Sequence, residues 1–199
     1  MRFSRRSLLA VVGGLAATPA FAGAEDARES ERSFGRPDAP SVVTEFFSLT
    51  CTHCAAFSRE VMPQVTTELI NTGKLRIIYR DFPLDQVALM AAMVARALPP
   101  ERYEPFIAAL FASQDRWAFA QGVNSTAELA KMAALAGMAR SVFDATIADT
   151  GLKNWIIAQQ QQAETQFHVD STPTFVAGDR THPGEMSYSE FAKFATGVG

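Results

Sequence analysis

The sequence predicts an α/β domain in which one layer of strands is covered by helices and a block of helices is inserted midway. Three observations predict it. An apolar, β-rich run, Val42 to Phe47, passes directly into a segment whose apolar residues recur at helical spacing. Residues 84–167 carry helical patterning almost throughout. After Asp170 the period returns to that of a strand, in Thr174 to Ala177, before a last helix. The 199-residue length suits one domain with a real core. Apolar residues make up 48% and charged residues 20%, as in a soluble globular protein.

The chain opens on an export-signal pattern. Arg2, Arg5 and Arg6 form a positive start, and Leu8 to Ala17 is an apolar run of about ten residues. Pro19 breaks the run before Ala20-Phe21-Ala22, a small-x-small cleavage site. Residues 1–22 are therefore expected to be a cleavable signal peptide. The run is short for a membrane span, and no later apolar stretch reaches the ~20 residues that one needs. No cysteine follows it, which argues against a lipid anchor. Ser4-Arg5-Arg6-Ser7-Leu8-Leu9 also resembles a twin-arginine signal, so the twin-arginine and general secretory routes both stay open. Cleavage would remove three of the 18 basic side chains and none of the 21 acidic ones, leaving a net charge of about −6. With no basic patch in the remainder, nucleic-acid binding is not expected.

Residues 23–34 are mostly small and charged and read as a polar linker. The domain proper is expected over 35–199, with the helical insertion at about 84–167. Gly35 to Pro40 is turn chemistry, and Val42 to Phe47 reads as a buried strand. Cys54, Phe57, Val61, Val65 and Leu69 form one helical stripe, which Pro63 should kink and Asn71-Thr72-Gly73 should end. Leu75 to Tyr79 reads as a second buried strand. Leu89/Ala92/Met93, Phe106/Leu110/Phe111, Leu129/Met132/Ala133/Ala136 and Trp155/Ile156 mark the apolar faces of the insertion. Pro99-Pro100, Gly122 and Gly137 punctuate it. Ser125 to Glu128 reads as a capping box with Ser125 as N-cap. Beyond Ala177 come a Gly178-Asp179 turn, a short strand around Gly184-Glu185-Met186, and a helix with Tyr188, Phe191 and Phe194 turned inward.

Cys51 and Cys54 are the only cysteines, and they stand where the first strand becomes a helix. A structural metal site needs four ligands, and only His53, His168 and His182 remain to complete one. His168 and His182 lack the paired spacing of zinc ligands, and Ala55 stands where a c-type haem needs histidine. No metal is expected. A structural staple is no better, because bridging two positions within one helical turn closes almost no loop. A reversible disulfide fits the position. Cys51 would begin the helix, where free amides and the helix dipole favour a thiolate. The amides of His53 and Cys54 could donate to it, and a protonated His53 would add a cation. Together these would lower the thiol from ~8.5 into the ~3.5–7.5 range of such motifs. Cys54, one turn inward on the apolar stripe, should be buried and protonated.

Glu45-Phe46-Phe47-Ser48 leading to Cys51-Thr52-His53-Cys54, a kinked helix, a helical block and a late Thr172-Pro173-Thr174-Phe175 together resemble the DsbA-like thiol:disulfide oxidoreductases of the thioredoxin superfamily. The resemblance covers residues 35–199. It implies a thioredoxin-like fold, a central mixed β-sheet flanked by helices with an inserted helical domain, acting in the periplasm. It implies that Cys51 is the exposed nucleophile and Cys54 its buried partner. His53 matches the family's histidine, a stabiliser of the thiolate. Glu45 matches a buried acid that assists proton transfer near the inner sulfur. Thr172 and Pro173 match the cis-proline loop that faces the disulfide and holds substrate. It further implies no cofactor beyond the redox-active cysteine pair, and a monomer that acts on unfolded or reduced exported proteins. A DsbB-like membrane quinone reductase would re-oxidise it. A disulfide-forming oxidase is the first expectation and a reductase or isomerase the alternative, since Thr before Pro173 occurs in both. A metal carrier or binding module ranks third.

Overall fold

A computed structural model describes residues 26–197. The expected signal peptide, residues 1–22, lies outside them. Strand β2, Ser41–Phe47, is rich in β-branched and aromatic residues and pairs in parallel with β3, Leu75–Asp81. The crossover between them is a helical run over residues 52–70. Strand β1, Arg32–Phe34, lies antiparallel on the far side of β3. Strands β4, Thr174–Ala177, and β5, Arg180–Pro183, continue antiparallel beyond β2. The sheet order is β1-β3-β2-β4-β5, a mixed thioredoxin-like sheet with β2 at its centre.

Because side chains alternate across a strand, β2 serves two cores. Val43 and Phe47 join the main one, where Phe47 packs edge-on against Tyr79 and Phe111. Glu45 shares their parity and so faces the same way. Phe46 points to the opposite face, into a smaller cluster with Phe82, Ala163, Val169 and Val176. Helix α9, Tyr188–Thr196, closes the main core with Phe191, which forms a three-ring cluster with Phe57 and Phe175.

The crossover run is α1, Thr52–Ala56, and α2, Met62–Val65, joined by a π-helical turn over Phe57–Val61 and continued by another over Thr66–Ile70. The expected disturbance at Pro63 takes this form. Proline lacks the N–H for an intrahelical bond and its ring crowds the carbonyl four residues back. The wider turn, in which the Met62 N–H reaches the Phe57 carbonyl, makes room for it.

Between β3 and β4 the described chain forms six helices: α3 Gln86–Ala97, α4 Pro100–Ala112, α5 Gln114–Trp117, α6 Ser125–Leu135, α7 Arg140–Ile147 and α8 Thr150–Gln166. Two local expectations need correction here. Ser125 is not the N-cap of α6: Asn124 is, its side chain accepting the Ala127 N–H at 3.0 Å, while Glu128 turns outward to Lys131. The short strand expected around Gly184 to Met186 lies four residues earlier, at Arg180–Pro183. It is a polar edge strand with no fully buried side chain, so it has no apolar alternation to read.

The expected polar linker over 23–34 is a further correction, for from Asp26 onward the segment is fastened to the domain. Asp26 caps a short 3-10 turn, Ala27–Glu29, and β1 follows. Arg32 is 2% exposed and its guanidinium donates to the Arg96 carbonyl. Arg96 in turn donates to the carbonyls of Arg28 and Ser30, and its Nε binds the Asp81 carboxylate, which also accepts from the Tyr103 hydroxyl. Buried guanidinium groups rather than apolar side chains make this attachment, which is why hydropathy conceals it.

Asp81→Asn leaves the Arg96 charge buried without its partner and is expected to cost about 3–5 kcal/mol in urea unfolding. The exposed Arg140–Asp144 pair is the control: Asp144→Asn should change stability by less than about 1 kcal/mol.

Candidate active site

The segment Ser48–Cys51 leaves the end of β2 and is held from three sides. The Cys51 N–H donates to the Ser48 carbonyl, and the Ser48 hydroxyl accepts the Leu84 N–H. Thr50 donates its hydroxyl to Asp85, which also caps α3 through the Ala88 N–H. From the insertion, the amide of Gln114 donates to the carbonyls of Leu49 and Cys51 at 2.9 and 3.0 Å. Gln114 is 4% exposed. Nothing in the sequence marks it, since one glutamine in a helical block has no distinctive spacing.

This clamp places Cys51 at the N-cap of α1 with extended backbone, its sulfur accepting the Cys54 N–H at 3.3 Å. Both cysteines are free thiols and both are buried: Cys51, expected to be exposed, is only 6% exposed, because the Thr172–Pro173 loop lies across from the helix start and covers it. Across from the helix start is the Thr172–Pro173 peptide, which is cis, and the Cys51 thiol donates to the Thr172 carbonyl at 3.2 Å. The Thr172 hydroxyl is buried without another partner and adds to the groups favouring the thiolate. The Pro173 carbonyl is taken by the Gly184 N–H at 2.7 Å.

The electrostatics of the two sulfurs diverge. The Cys54 thiol, then the Thr172 hydroxyl and the amides of Cys54 and His53, hold Cys51 down at about 5 against the opposing effect of burial. Burial pushes the Cys54 thiol far up, reinforced by Cys51 and Glu45. Glu45 is 4% exposed, and burial followed by the Cys51 charge raises its carboxyl to about 8.

His53 departs from expectation. Its side chain is 67% exposed and its Nδ1 lies 3.3 Å from a Glu185 carboxylate oxygen. On the first turn of α1, Cys54 faces inward while Thr52 and His53 face solvent. His53 therefore contributes its backbone N–H to the thiolate, and its imidazole turns to the loop after β5. The structure thus brings together Cys51, Cys54, Glu45, Thr172 and Pro173, with Gln114 added from the insertion. His168, at positive φ, and His182, against Phe194, belong to other regions.

A family model described as thioredoxin matches residues 27–195. The crystal structure of Wolbachia pipientis alpha-DsbA1 is similar at 28% identity with a TM-score of 0.77, over 87% of this chain and 96% of that one. BdbD from Bacillus subtilis, oxidised, shares the fold at 17% identity and a TM-score of 0.73, over 83% of this chain and 90% of that one. A Rickettsia bellii protein provisionally named a protein-disulfide oxidoreductase is 24% identical over 148 residues, 74% of this chain and 56% of that one. The chain thus spans little more than half the length of that relative.

Ultraviolet titration of the thiolate in the reduced protein is expected to show Cys51 ionising near pH 5. Gln114→Leu should move that transition toward the ordinary value of about 8.5. It should also cost about 1–3 kcal/mol, since the Leu49 carbonyl loses its donor and the Cys51 carbonyl keeps only the Ala55 N–H. The stability of the reduced form follows from the same shifts. Because the folded Cys51 value is depressed from 9.0, its contribution is complete above 9.0 and is lost as pH falls through about 5. Glu45 is raised from 4.5, so its contribution is complete below 4.5 and is lost as pH rises through about 8. Urea unfolding of reduced Cys51→Ser across this range should lack the Cys51 dependence and keep a diminished Glu45 one, since burial remains but the Cys51 charge is gone.

Proposed function

The chain belongs to the thioredoxin family in its DsbA-like form, and from that premise we propose that it is a protein thiol:disulfide oxidoreductase that introduces disulfides into exported proteins. The observation that carries the reading is the Cys51 sulfur, fed by the Cys54 N–H at the helix start and faced by the Thr172–Pro173 loop. In the oxidised protein a substrate thiolate attacks Cys51, the Cys51–Cys54 bond breaks, and Cys54 takes the electron pair. A second substrate thiolate then attacks the mixed disulfide and Cys51 leaves as a thiolate. A stabilised thiolate is a good leaving group and favours the reduced protein, so electrons flow from substrate to enzyme.

Glu45 supplies the proton that Cys54 needs on leaving, since a carboxyl near 8 still carries one at neutral pH. The substrate chain lies beside Thr172 as an added strand, the neighbouring Pro173 carbonyl being already bonded to Gly184. The residues 1–22 signal would place this chemistry in the periplasm. A DsbB-like membrane quinone reductase would restore the disulfide.

Oxidation of a dithiol peptide tests the reaction. Cys51→Ser should abolish it, and Cys54→Ser should react with oxidised glutathione to keep one glutathione disulfide-linked to Cys51 while the other leaves as a thiolate. The reduction potential tests the direction: a value between about −270 mV for thioredoxin and about −120 mV for DsbA is expected. A potential at or below the thioredoxin value, with the protein found reduced in cells, would make it a reductase.

A further inference from the structure

The buried Glu45 carboxyl has a polar outlet that the two cysteines do not use. It lines a cavity of about 20 Å³ with Tyr79, Ser58 and Glu104, walled by apolar side chains that include Met62 and Phe111. That volume accommodates a single water, and the lining offers it several polar partners. The register of the sheet sets Tyr79 directly beside Glu45. Glu104 lines the same cavity from the side of α4. Glu45 is the buried carboxyl of the cavity, at 4% exposure. Glu104, on α4, is half-buried and reaches solvent at the outer end.

We propose that Glu104 is the outer station of a proton path that runs through this cavity to Glu45, so that the inserted helix α4 serves the chemistry of the cysteines. Charged groups on the elements packed against α4 are engaged elsewhere. Arg32 of β1 binds the Arg96 carbonyl and Arg96 of α3 binds Asp81. Arg59, on the π turn, donates to the Phe111 carbonyl, and His53 of α1 pairs with Glu185. Glu60 of that turn and Asp115 and Arg116 of α5 face solvent. On α4 itself, Arg102 donates to the Ala136 carbonyl and Glu101 is exposed. Burial alone raises Glu104, which suits it to exchange protons with a raised Glu45.

The path matters when the dithiol is re-oxidised, and this rests on the proposed function. With oxidised glutathione, Cys51 forms a mixed disulfide and releases one glutathione thiolate. Cys54 gives its proton to the Glu45 carboxylate, its sulfur attacks Cys51, and the second glutathione thiolate leaves with the electron pair. Below about pH 8 the resting Glu45 is protonated and must first shed that proton outward, through the cavity to Glu104 and then to solvent.

The test is a single-turnover oxidation of the reduced protein by oxidised glutathione across pH, reading release of the second glutathione. Glu104→Gln is expected to slow it roughly tenfold below about pH 8, less than the 10²–10⁴-fold owed to a direct general acid. The difference should close above about pH 8, where Glu45 is already ionised. Imidazole in the buffer should restore the rate, Glu104→Asp should retain it, and the Cys51 titration should not move. Equal profiles for wild type and Glu104→Gln would overturn the path. So would a loss that imidazole does not restore, or one that accompanies a raised Cys51 pKa. A wild-type protein that fails to exchange with glutathione would instead remove the proposed function itself.

Discussion

One backbone amide organises the site. The Cys54 N–H, free because it lies in the first turn of a helix, points at the Cys51 sulfur at 3.3 Å and, together with the Cys54 thiol and the Thr172 hydroxyl, makes a negative charge there tolerable in a nearly enclosed place. The rest of the molecule can be understood as what that contact requires. The helix must begin at Thr52, so β2 must stop at Phe47 and the turn between must be rigid. Gln114, Thr50 with Asp85, and the Ser48 hydroxyl supply that rigidity, each from or to a different part of the fold.

The same contact divides the two sulfurs. Hydrogen-bond donors gathered on one sulfur and complete burial of the other hold Cys51 toward the thiolate and Cys54 as a thiol. In the proposed reaction the buried Cys54 thiol would need a base as it ionises, and β2 carries Glu45 on the face shared with Val43 and Phe47. An acid at that depth in turn needs access to water. The helical insertion is more than a cover: α5 steadies the turn through Gln114, and α4 brings Glu104 to the lining of the cavity that Glu45 shares.

The periphery follows a different physics. The N-terminal segment from Asp26 is attached through buried guanidinium groups and carbonyls, and Asp81 compensates the charge at the heart of that attachment. Such an arrangement binds one geometry only, because each guanidinium has fixed donor directions. It ties the edge strand β1, the end of β3 and helix α3 into one unit beside the turn that carries Cys51.

The amino-acid sequence alone determined the strand-to-helix passage at Cys51, the helical stripe through Leu69, the helical block and the return to strand at Thr174. Each of these rests on periodicity, which depends on near neighbours in the chain. It also marked Cys51, Cys54, Glu45, Thr172 and Pro173, through a local motif and a family pattern. What only the tertiary structure decided is which distant groups meet. Gln114 on Cys51, Arg96 on Asp81, Glu104 across from Glu45 and Glu185 drawing away the His53 imidazole all join residues far apart in sequence. The N-cap at Asn124, the edge strand at Arg180 and the fastening of residues 26–34 escaped for a related reason. They are held by hydrogen bonds of polar side chains and backbone, and these leave no periodic mark on hydropathy.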